Sequence, residues 1–155
     1  MPKKSDDRAS INLGLISPEC IDKVVSFVPK LRSIPAETIA RWGGGKAPDG
    51  VLELSLEPSY HPVVRELIHS LNENHFVQPF DWSRWQSTAE KIVREPTGVS
   101  EANLETCIKL MTLHIRKDRF CGGHFGEMVR SGHISAILQR LAELRERCEL
   151  HPEKP

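Results

Sequence analysis

Residues 100–147 read SEANLETCIKLMTLHIRKDRFCGGHFGEMVRSGHISAILQRLAELRER, and this stretch decides the fold. Leu104, Ile108, Met111 and Ile115 fall four, three and four apart, which places them on one face of a long α-helix opened by Ser100. The period breaks at Cys121-Gly122-Gly123, where paired glycines favour a turn. A short helix from about His124 to Arg130 follows and buries Phe125, Met128 and Val129. Ser131-Gly132 ends it. A last helix carries Ile134, Ile137, Leu138, Leu141 and Leu144 and fades into Arg145-Glu146-Arg147. Apolar stripes joined by short links predict a helical bundle.

Moving toward the N-terminus, Tyr60, Val63, Val64, Leu67, Ile68 and Leu71 form another helical stripe, with Ser59 as cap and Pro62 in the first turn. Asp81 or Ser83 can cap a helix that carries Trp85, Ala89, Ile92 and Val93, closed by Pro96-Thr97-Gly98. Ser17-Pro18-Glu19 starts a helix with Ile21, Val24, Val25 and Val28, and Pro29 stands near its end. Between these helices the rhythm changes. Val51 to Glu57 alternates with period two, which is the pattern of a half-buried strand. Thr38 to Trp42 is short and partly β-branched, and Gly43 to Gly50 reads as the loop of a β-hairpin. The expected fold is mainly α: a compact bundle of five or six helices with one small β-hairpin. The leading residues 1–16 are expected to form a loose arm, 17–147 a single domain, and 148–155 a polar tail.

Composition bounds the function. The chain has 155 residues and 17.5 kDa, one domain's worth. Lys+Arg and Asp+Glu both number 21, so no whole-molecule field steers it toward nucleic acid. The apolar runs are too short for a membrane helix, and the start is too polar for a signal peptide. Cys20, Cys107, Cys121 and Cys148 share no C-x-x-C spacing. A cytoplasmic protein with reduced thiols is the expectation, with Cys107 a small core residue on its helix. The charge is uneven, because residues 109–147 hold eight Lys/Arg and four acids, a net +4.

Trp42-Gly43-Gly44-Gly45, the F-D-W-S-R-W run at 80, R-K-D-R-F-C-G-G-H at 116 and S-G-H-I-S-A-I-L-Q-R-L at 131 occur in that order. Over residues 20–147 the chain resembles a family of small bacterial proteins known only as a domain of unknown function. The resemblance implies one domain and a bacterial origin. It implies no catalytic residues.

The segment Arg116–His124 carries the chemistry. Arg116 and Arg119 are three apart and leave one side of the helix, with Arg119 at the edge of the apolar stripe. Free N–H groups at a new helix start, with Gly123, His124 and two guanidiniums, would make an anion site. The alternative is internal: Arg116 and Arg119 pair with Asp118, Glu127 or Asp81 and lock the turn. Cys121-x-x-His124 with His114 or His133 suggests zinc, but a second paired spacing is missing, so no metal and no cofactor is expected. Cys121 beside His124 is the one arrangement that suggests a nucleophile. Gly43-Gly44-Gly45-Lys46 lacks the context of a phosphate loop. Trp82 and Trp85, three apart, anchor the core or form a partner-binding patch. The functional expectation is therefore a non-catalytic binding or adaptor domain. It would recognise an anionic group on a small ligand or partner protein through its C-terminal basic face. The alternative is a small hydrolase or transferase using Cys121 and His124.

Overall fold

The computed structural model describes residues 11–46, 52–95 and 97–147. The first ten residues of the expected arm, the hairpin segment 47–51, Pro96 and the tail from Cys148 onward lie outside the described residues. The architecture is mainly α with one two-stranded antiparallel sheet.

Helix α1 (Pro18–Val25) starts as expected, with the Ser17 hydroxyl accepting the Cys20 N–H. It does not run on to Val28. The chain turns at Ser26-Phe27, and α2 (Val28–Arg32) begins with Pro29 in its first turn. Proline has no N–H to give an ongoing helix, but its fixed φ suits a helix start, so Pro29 opens a segment rather than closing one. Strand β1 (Ala40–Lys46) includes the triglycine that its composition marks as loop, and it pairs with β2 (Leu52–Tyr60). The register runs from Ala40 opposite Tyr60 to Lys46 opposite Leu52, with an irregularity between Trp42 and Gly44. Glycine weakens a strand without forbidding it, and the pairing overrides the propensity.

Helix α3 (Pro62–Glu73) is capped by His61, whose Nδ1 accepts the Val63 N–H, and not by Ser59. A 3-10 turn at Trp82–Trp85 leads into α4 (Gln86–Arg94). Helix α5 (Leu104–Asp118) is capped by Asn103, three residues past Ser100. Helices α6 (His124–Arg130) and α7 (His133–Glu146) each follow a glycine with left-handed φ, Gly123 at 92° and Gly132 at 90°. Such a φ costs a side-chain-bearing residue strain, which is why glycine stands at both turns.

The core forms between α5, α7, α3 and α1. Leu67, Ile108, Met111, Ile137, Leu138 and Leu141 are all fully buried in it. Several polar groups inside find partners from distant elements. The Gln78 N–H donates to the Thr112 hydroxyl, which donates to the Phe76 carbonyl. Gln78 also grips both backbone groups of Asn12, and Ile11 and Ile16 pack on the core, so residues 11–16 are docked on the domain. Arg140, buried in α7, donates from Nε to the Ala102 carbonyl and pairs with Glu143. Among the described residues no helix is long and apolar enough to cross a membrane.

Candidate functional site

The turn between α5 and α6 is built by a contact no local pattern foretells. Asp118, the last residue of α5, accepts the Tyr60 hydroxyl at 2.6 Å and the Phe125 N–H at 2.9 Å through the same oxygen. The Tyr60 oxygen in turn accepts the Gly126 N–H at 3.1 Å. Two of the free N–H groups at the start of α6 are thus satisfied from within, by a carboxylate and a phenol. Burial, and then the bond to Asp118, hold the Tyr60 phenol proton far more tightly than usual. Gly126 must be glycine here, since a Cβ would stand 2.8 Å from the Tyr60 ring.

The expected anion site is rearranged accordingly. Gly123 is buried at the N-cap of α6, and His124 is half-buried. Arg116 is half-buried, but Arg119 is exposed, the reverse of their helical-wheel order. Helix α5 ends at Asp118, and Arg119 is its C-cap, with backbone angles that are still helical. The three acids proposed as its internal partners are engaged elsewhere: Asp118 with Tyr60, Glu127 with Arg130, and Asp81 with Arg84. Among the described residues neither Arg116 nor Arg119 has a hydrogen bond or ion pair through its guanidinium.

A second cluster was not anticipated as such. The two Gly-His turns deliver His124 and His133 to the same place, on either side of His114 from α5. His114 Nδ1 lies 2.9 Å from His124 Nε2. The His114 and His133 rings meet edge to face at 4.9 Å. His114 Nε2 and His133 Nε2 are buried without a partner. Burial lowers the pKa of all three, with the neighbouring imidazoles and Lys117 adding to the effect. His133 falls to about 4. All three are neutral at pH 7. The signal available in the sequence was the repeated Gly-His pair nine residues apart.

Two clefts flank His124 and Lys117. One, of about 220 Å³, lies between α4, α5 and α6. Gln86, Glu90, Arg94, Lys117 and His124 form its polar side, and Ala89, Val93, Leu113 and Met128 its apolar side. The other, of about 270 Å³, is bounded by Cys121, Gly123, Glu127 and Arg130. Cys121 is exposed there and shares the cleft with His124, but His124 Nε2 faces His114, leaving only Nδ1 for other work. Among the described residues no third group orients that imidazole toward the thiol. Among the described residues no three His, Cys, Asp or Glu side chains are arranged to hold a metal ion.

The tryptophans split their roles. Trp85 meets Phe80 edge to face at 5.8 Å, with the Lys109 ammonium over both rings. Trp82 lies against Phe120 at 5.9 Å. Phe120 is 77% exposed, the most exposed large apolar side chain described. Trp82 and Trp85 are both half-buried against the core.

Residues 16–147 match the model of a family described as a family of unknown function (DUF6508). No curated protein and no solved structure matches the chain.

Proposed function

The chain belongs to that family of unknown function, and we propose that it is a non-catalytic binding domain that docks an acidic segment of a partner protein on the end of α5. One observation carries the reading. Phe120 stands 77% exposed, braced by Trp82, beside two guanidiniums that have no hydrogen bond or ion pair among the described residues. Leaving a large apolar ring in water gives up the burial that most such side chains obtain, and aromatic and arginine side chains together are the common anchors of protein interfaces. The unpaired Arg116 and Arg119 select an acidic partner and speed its approach. Gly123 and His124 hold the turn that fixes the direction of this end. Trp85 supports the patch from the core side through the turn it shares with Trp82.

A fluorescent peptide of glutamates flanking one leucine serves as the probe, read by anisotropy with the whole chain. Saturable binding that weakens with salt is expected. Arg119→Glu abolishes it, and Phe120→Ser weakens it severalfold. Arg119→Ala changes folding stability by no more than about 0.5 kcal/mol, as an exposed site should. Equal binding by wild type, Arg119→Glu and Phe120→Ser overturns the proposal. The second reading, a hydrolase or transferase, rests on the exposed Cys121 thiol in a cleft with His124. It requires iodoacetamide to react with Cys121 faster than with a free thiol, and His124→Gln to remove that advantage.

A further inference from the structure

We propose that the cleft between α4, α5 and α6 binds a small carboxylic acid with one apolar group, its carboxylate between Lys117 and His124 and its apolar end on Ala89, Val93, Leu113 and Met128. This cleft does not include Arg116, Arg119 or Phe120 of the docking surface, and His124 is the residue the two share.

Charge is the first argument. Lys117 is half-buried on the last turn of α5, and among the described residues no carboxylate stands within ion-pair distance of its ammonium. Arg94 lines the same cleft from α4. Glu90 is the one acid in the lining; it is exposed and lies one helical turn from Arg94, which offsets it. The balance at the polar side therefore favours an anion. The apolar side asks for hydrocarbon, since ligand pockets pair such a wall with a few placed polar groups.

The second argument is the direction of a proton. His124 Nε2 faces His114 Nδ1, so Nδ1 is the nitrogen His124 has left. Two arrangements of the pair exist. In one, His124 donates to His114, and His114 must then bury an N–H at Nε2 with no acceptor. In the other, His114 donates from Nδ1 to His124, and its buried Nε2 carries only a lone pair. A buried orphan donor is the rarer case in proteins, so the second arrangement is favoured. It leaves His124 with Nδ1–H as a donor, as an anion requires. Burial keeps both rings neutral, so Lys117 supplies the charge and His124 supplies a directed hydrogen bond.

Size is the third. At about 30 Å³ per water, 220 Å³ is the space of roughly seven waters. That suits an acid of about benzoate size and excludes a nucleotide.

Benzoate is the probe, titrated into the whole chain by calorimetry and by nitrogen-15 NMR of labelled histidine. The expected result is saturable binding with Kd below about 1 mM, with His124 protonated at Nδ1 in the complex. Benzylamine, which keeps the ring and reverses the charge, shows no saturation. Lys117→Gln weakens benzoate by about tenfold or more. Val93→Asp, which places an acid on the apolar wall, abolishes binding. Arg119→Glu leaves benzoate binding unchanged while destroying peptide docking, so the two sites succeed or fail separately. The proposal is overturned if benzoate does not saturate below about 10 mM, if benzylamine binds as well, or if Lys117→Gln binds like wild type.

Discussion

Acid should loosen this fold through its three clustered histidines, and His133 allows the size to be worked out. Its pKa falls from 6.5 to about 4 on folding, because burial disfavours the imidazolium and His124 lies nearby. The unfolded chain therefore binds the proton more tightly than the folded one. Stability from this group is complete above pH 6.5 and is lost as pH falls toward 4. At about 1.36 kcal/mol per pKa unit, the full loss is about 3 kcal/mol. At pH 5 the loss is already about 2 kcal/mol. His114 and His124 act in the same direction, since burial lowers both. The assay is urea unfolding at pH 7.5 and pH 5, on wild type and His133→Leu. Wild type should lose at least about 2 kcal/mol between the two, and the variant about 2 kcal/mol less than that. Equal losses in wild type and variant would refute the reasoning, because protonation of this site would then not be what the fold resists.

Three further outcomes follow from the packing. Leu138 is fully buried, so Leu138→Ala should cost about 2–5 kcal/mol in urea melts. Tyr60→Phe removes the hydroxyl that links Asp118 to the Gly126 N–H; it should cost about 1–3 kcal/mol, and Asp118→Asn should add little in the Tyr60→Phe background, as a double-mutant cycle would measure. Elemental analysis of the purified protein should find well under one zinc per chain, because among the described residues the close His114–His124 pair lacks the further ligands of a tetrahedral site.

What the sequence made legible, and what it hid, divides along one physical line. Apolar periodicity reports which face of an element is buried, and it placed Ile108, Met111, Leu138 and Leu141 in one core. It also located the turn at Gly122-Gly123, since left-handed φ is a local demand. It did not say where α1 ends, because Pro29 fits both the close of one helix and the opening of another. Polar partnerships were hidden more deeply. Asp118 sits beside Arg119 in the chain, which suggests a pair, yet adjacent residues on a helix point apart. Its real partner, Tyr60, comes from β2, 58 residues away. The same holds for His114, which periodicity treats as one more position on α5 and which meets His124 and His133 only when two glycine turns fold back on it. A histidine inside an apolar stripe has to find neighbours or lose its charge. His114 does both, and Lys117, one turn along the same helix, is left facing a cleft whose one acid, Glu90, is not within ion-pair distance of it. The stripe therefore locates the core, while the residues interrupting it locate the chemistry.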